Sequence, residues 1–291
     1  MVETLSNTPP TALRRWAAAA ARAAFASAFL LAGGSGALAQ GATFLSVCGQ
    51  RGVSAAELVR TCSRAMAAED ITRSQRAAAA LNLGAALLEL GDAEGALAAY
   101  DGALSLSPGA ALGHAGRADA NAALGRIGEA AVDWNRAVDA APSDPDMRAG
   151  RGAFRLRAGN PGGALEDFDR ALSRRPSDRA LRYNRALALG VLGREVEASA
   201  VLGALTREDP DDAAARLYRA RLLADREPEA ALQELARVVA LRPEWPQPEL
   251  ERGAILDRLG RRPEADEAYL RAWNLGHRSE ALNARVLSMG K

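Results

Sequence analysis

Alanine recurs at Ala96, Ala130, Ala164, Ala198, Ala231 and Ala265, so one residue type returns every 34 positions with a single spacing of 33. A fixed period of this length restricts a chain to stacks of one supersecondary unit, because each unit buries its apolar face only against the next. Other positions keep the same register. Prolines fall at Pro108, Pro142, Pro176, Pro210 and Pro243, and turn glycines at Gly91, Gly125, Gly159, Gly193 and Gly260. Bulky side chains stand at Tyr100, Trp134, Phe168, Leu202, Leu235 and Tyr269, and small ones at Gly84, Ala118, Gly152, Ala186, Ala220 and Gly253.

Each unit reads as two helices. The first ends at the glycine, where a left-handed C-cap is sterically cheap, and the second ends before the proline. The small residues let the two helices approach, and the bulky residue fills the gap toward the next unit. Alanine, leucine and arginine dominate, aromatics are 4% of the chain, and long β-branched runs are missing, which favours an all-α fold.

The pattern resembles the tetratricopeptide repeat, with its small residues at the eighth, twentieth and twenty-seventh positions, an aromatic at the twenty-fourth and proline at the thirty-second. Six units match, at 77–110, 111–144, 145–178, 179–212, 213–245 and 246–279. The resemblance implies an all-α, right-handed superhelical solenoid of stacked antiparallel helix pairs. Unit five departs from it: Arg226-Glu227-Pro228 replaces the turn glycine, so its turn should differ. Unit six ends in Gly276-His277 instead of proline, and residues 280–291 are expected to form a C-terminal capping helix over the last apolar face.

Ahead of the repeats, Arg14 and Arg15, an apolar stretch from Ala23 to Ala32, a bend at Gly33 to Gly36 and then Ala37-Leu38-Ala39 have the tripartite shape of a signal peptide. Segment 1–39 is therefore expected to be removed after Ala39, giving a periplasmic protein that begins at Gln40. The apolar stretch is about half the ~20 residues a bilayer span needs. A retained segment would instead tether the chain to the membrane, and Arg14-Arg15 leaves twin-arginine export open beside the general route. Segment 40–76 is expected to be helical and to carry the only cysteines, Cys48 and Cys62. In an oxidising compartment an even pair this close suggests one disulfide. Cys62 should lie on a helix capped at Ser54, because Ser54 and Glu57 have capping-box spacing. Without a C-x-x-C, and with His114 and His277 far apart, metal binding and redox catalysis are the weaker readings.

Charge excludes several classes of function. The formal net charge is +1, and since the first 39 residues contribute +2, the remainder is nearly neutral. Nucleic-acid binding would call for a basic excess and aromatic platforms. Lysine occurs once, at Lys291, so Schiff-base, P-loop and kinase-type lysines have no candidate within the fold. No nucleophile elbow, zinc signature or phosphate loop is present. The chain reads as non-enzymatic and without a cofactor.

Arg117, Arg151, Arg185, Arg219 and Arg252 recur at the seventh position of their units. They form either a basic ladder for an acidic ligand or a set of ion pairs, since Asp133, Asp167 and Glu234 follow at sixteen or fifteen residues on the partner helix. Trp245 and Trp273, at unit boundaries, are expected to wedge between repeats, and His114 is assigned no role.

The resemblance implies that the first helix of each unit lines the concave side. Its facing positions are Leu81, Asn82, Leu88, Glu89, Asp119, Tyr183, Asn184, Leu187, Leu217, Arg221, Asp225 and Asp257. Such a groove suits an extended or helical peptide with apolar anchors, whereas the alternative is that the leucines only pack the array. The basic carboxylate clamp of some family members needs lysines that this chain lacks. The expected function is thus a protein-protein interaction scaffold exported to the periplasm. The alternative is a membrane-tethered structural module in envelope or polysaccharide assembly.

Overall fold

The computed structural model describes residues 40–50 and 52–289. The expected export segment and its cleavage point lie outside them. The described residues are helical throughout, without a strand, and divide at Pro176/Ser177 into two compact units. The first contains α1 (Gln40–Cys48), α2 (Ala55–Ala67), α3 (Arg73–Glu89), α4 (Ala93–Leu106), α5 (Ala111–Ala123), α6 (Ile127–Ala140), α7 (Pro145–Arg157) and α8 (Pro161–Leu172). The second contains α9 (Arg179–Val191), α10 (Glu195–Glu208), α11 (Ala213–Leu223), α12 (Pro228–Leu241), α13 (Pro246–Arg258), α14 (Arg262–Asn274) and α15 (Glu280–Met289).

Five hairpins turn in the same way. Gly91, Gly125, Gly159, Gly193 and Gly260 all have positive φ, and the next residue's amide reaches back into the helix, as Asp92 N to Leu87 O at 2.9 Å and Arg126 N to Asn121 O at 2.8 Å. This paired closure satisfies carbonyls the helix end would otherwise strand. The expected exception is found. In α11–α12 the first helix stops at Leu223, Ala224 stays right-handed, and Arg226 and Glu227 both donate to Leu223 O, with Pro228 opening the next helix.

Bulky and small positions interlock as their spacing predicts. The Tyr100 ring lies against Gly84 of its own first helix and Gly116 of the next, where an added Cβ would come within 2.7 Å and 2.2 Å. Trp134 rests on Gly150 in the same way, Phe168 on Gly152, and Tyr269 on Gly253. Phe168, Leu202 and Leu235 are fully buried. Burial of such side chains, at ~25 cal/mol per Å² of apolar surface, is what holds each pair on the next.

The arginine ladder resolves into ion pairs at three of its positions. Arg117 grips Asp133 bidentately at 2.9 and 2.7 Å, Arg151 grips Asp167 at the same two distances, and Arg219 meets Glu234. Arg252 breaks the pattern by pairing with Glu249 of its own helix. Position four repeats as well: His114, Arg148 and Arg216 each contact the carbonyl of the preceding turn proline, Pro108, Pro142 and Pro210, at 2.9, 3.0 and 2.8 Å. His114 thus has a structural place that the sequence reading did not give it.

At the N-terminal end, α3 begins at Arg73, ahead of the register position at 77. Thr72 and Gln75 close a reciprocal capping box there. The helices α1 and α2 form a further hairpin on α3, with Leu45, Leu58, Ala65, Ala79 and Ala86 in one buried cluster. The Sγ atoms of Cys48 and Cys62 lie at bonding distance within it, with Cα atoms 4.9 Å apart, and Ser54 caps α2 as expected. At the other end α15 covers the last hairpin. Leu282 is buried, Arg285 bridges Asp257 and Asp266, and Trp273 donates to Asn283 at 3.0 Å, wedged between α14 and α15.

Candidate functional site

The first helices of successive hairpins are neighbours within each unit, and the residues they share decide what their common face offers a ligand. In the first unit these are α3, α5 and α7. Leu81 and Leu88 are half-buried against Ala96, Tyr100 and Ala120, so they contribute only their edges. Asn82 is buried, its Nδ2 3.9 Å from Cys48 Sγ, under the α1–α2 hairpin. Glu89 is exposed at the end of α3. Burial pushes the Asp119 carboxyl up to about 6, with the Arg157 guanidinium opposing that rise. Burial, and secondarily Asp119, pushes the Tyr100 phenol up.

In the second unit two tyrosines stand on adjacent first helices. Tyr183 of α9 and Tyr218 of α11 stand with ring centroids 6.4 Å apart and planes inclined at 58°, a tilted pair joining two adjacent first helices. The Tyr218 hydroxyl lies directly over Gly190, where a Cβ would come within 2.1 Å. Burial pushes both phenols up. Val191, at the end of α9, is exposed.

Besides Asn82, three more of the residues expected on the groove are buried. Asn184, Leu187 and Leu217 are 7%, 3% and 8% exposed, and Leu217 belongs to the cluster that holds Ala213, Ala220 and Leu235. They pack the array, their side chains enclosed by neighbouring helices.

The charged positions pair with one another. Arg221 of α11 donates to Glu251 of α13 at 2.8 and 2.6 Å, and Gln247 adds a third hydrogen bond to the same carboxylate at 2.9 Å. Asp225 is held by Arg258, and Asp257 by Arg285 at 2.9 Å. What remains on this face is aromatic and apolar surface bordered by internally neutralised charge. Tyr218 and Glu251 were missed from the sequence. Tyr218 occupies the register position of Asn184, 34 residues on, and counting from that position finds it.

On the second helices of the first unit an open cleft of about 620 Å³ lies between α4 and α6, but its Arg117, Asp101 and Asp133 satisfy each other. Among the described residues, no group of three or more His, Cys, Asp or Glu side chains is placed to hold a metal ion, and no helix is long and apolar enough to cross a membrane.

Comparison with known proteins agrees with this architecture. One tetratricopeptide repeat model matches residues 63–111 and 81–145, and a second matches 155–222. No curated protein matches the sequence. A tetratricopeptide repeat protein from Parabacteroides merdae is 20% identical with a TM-score of 0.56, over 84% of this chain and 94% of that one. PilF of Pseudomonas aeruginosa is 19% identical with a TM-score of 0.62, over 75% and 99%. PilW, described as a widely conserved type IV pilus biogenesis factor, is 20% identical with a TM-score of 0.65, over 72% and 98%. At these identities the structures speak to the fold, the helix-pair solenoid, and the repeat models speak to the sequence. Together with the repeating hairpins, the chain is a member of the tetratricopeptide repeat family.

Proposed function

We propose that this protein is an exported scaffold that holds a peptide or protein segment against the first-helix face around Tyr183 and Tyr218. The family fold supports a protein-protein interaction scaffold. The observation that carries the finer reading is the Tyr183–Tyr218 pair, which bridges two first helices while the charges beside it neutralise each other. A ligand selected there would offer apolar or aromatic anchors and little net charge, since a strongly charged peptide finds no unpaired counter-charge among Arg221, Glu251, Asp225 and Arg258. Export is supported by the tripartite segment at 1–39 and by the Cys48–Cys62 pair, which suits an oxidising compartment.

The test is site-specific photo-crosslinking in the periplasm of the native host, with the crosslinker at Tyr218 or, on a second helix, at the exposed Val196. A discrete adduct from position 218 that disappears with Tyr183→Ala supports the reading. Adducts only from position 196 would transfer the interaction to the second helices. N-terminal sequencing of the same material tests export: a chain beginning at Gln40 supports it, and a retained Met1 overturns cleavage.

A further inference from the structure

We propose that a cleft at the turn between α6 and α7, closed by the end of α8, binds a phosphate-class oxyanion. The cleft, of about 180 Å³, is lined among others by Pro142, Ser143, Arg148, Arg170, Ser173 and Arg174. Three of these are guanidinium groups. Arg148 reaches Pro142 O at 3.0 Å, and its nearest carboxylate, Asp167 at 3.9 Å, is already held by Arg151 and Arg155 at 2.7 and 2.9 Å. Among the described residues no ion-pair partner stands opposite Arg170 or Arg174. Of the acidic groups nearby, Asp146 is taken by Arg175 at 2.6 and 2.9 Å, and Asp144 caps α7 by accepting from Asp146 N at 2.8 Å.

The repeat itself shows what is missing. In the register 34 residues on, Arg182 takes the place of Arg148, and Glu208-Asp209 take the place of Arg174-Arg175. There Arg182 grips Glu208 through two hydrogen bonds, one of 2.7 Å. At the equivalent place in the first unit the carboxylate is replaced by Arg174, so charges of one sign share a single cleft. An anion from solution standing where the Glu208 carboxylate stands in its own repeat would offset the repulsion among them. Guanidinium forks match the oxygens of a tetrahedral oxyanion, and Ser143 lines the same space, whereas the Ser173 hydroxyl already donates to Arg170 O at 2.7 Å.

The test is isothermal titration of the full mature chain at fixed chloride concentration with two probes, inorganic phosphate and O-phosphoserine. Saturable binding of one equivalent is expected. Preference for inorganic phosphate would identify a free ion, and preference for O-phosphoserine would identify a phosphoryl group carried on a larger ligand. Arg174→Glu is expected to weaken binding about tenfold or more while leaving the melting temperature equal or higher, because it restores the carboxylate that Glu208 provides to Arg182. If that variant fails to fold, the Arg170→Ala, Arg174→Ala pair gives the same readout, since both side chains are exposed at a helix end. Absence of saturable binding for both probes, or unchanged affinity in the folded variants, would overturn the site.

Discussion

Arg151 of α7 holds Asp167 of α8 through two parallel hydrogen bonds, Nε to Oδ2 at 2.9 Å and Nη2 to Oδ1 at 2.7 Å, and that carboxylate is 1% exposed. Arg155 adds a third bond at 2.9 Å. Removing one member of a buried pair leaves the others uncompensated, at about 3–5 kcal/mol. Asp167→Ala is therefore expected to cost at least ~3 kcal/mol in urea unfolding of the first unit, and more than Arg151→Ala, because it strands two arginines instead of one carboxylate that Arg155 still serves. Equal losses for the two variants would show that the network is not centred on Asp167.

Gly116 presents bare backbone to the Tyr100 ring, and a Cβ there would come within 2.2 Å. Gly116→Ala gains helix propensity, ~1 kcal/mol, but overpacks the inter-repeat seam, ~1–3 kcal/mol, so net destabilisation is expected. Combining it with Tyr100→Leu should recover part of that loss. A strictly additive double-mutant cycle would mean that ring and glycine do not interact.

Asp119 titrates near 6 in the folded protein, above its ordinary value of 3.8, because burial disfavours the charge. The folded chain then binds more protons than the unfolded one between those two values, so this group's contribution to stability is greatest below 3.8 and is lost as the pH rises through about 6. Asp119→Asn is expected to be more stable than the parent at pH 7.5, with the difference shrinking as the pH falls. Parallel stability curves for the two proteins would refute the desolvation of this carboxyl.

The Cys48–Cys62 pair closes a short loop between two helices, worth ~3 kcal/mol in the chain-entropy treatment. Since a repeat array is stabilised mainly between neighbours, the loss should stay local. Cys48→Ser with Cys62→Ser is expected to raise amide exchange across α1 and α2 while leaving α9–α14 unchanged. A uniform rise along the chain would mean that the hairpin supports the whole array.

Much of the fold was legible in the residues. Glycines in one register mark where the backbone must take positive φ, and five of them do so. The sixteen-residue spacing of Arg117 to Asp133 and Arg151 to Asp167 made ion pairs one of two readings beside a basic ladder, and the structure forms them, because one helix, a tight turn and half a helix bring those positions together. The candidate site was legible only in part. Leu187 and Leu217 occupy the same kind of register position as Tyr183, yet they are buried while Tyr183 keeps an accessible edge.

The sequence alone determined the repeat and its hairpins, which follow from backbone geometry and from distances along a chain of fixed pitch. Only the tertiary structure decided which first-helix side chains remain accessible and which charges are already neutralised. Pairs such as Arg221 with Glu251 and Asp225 with Arg258 form between different repeats, 30 and 33 residues apart. Their meeting depends on the lateral spacing of packed helices, which is settled only when side chains such as Leu235 and Tyr269 pack in three dimensions.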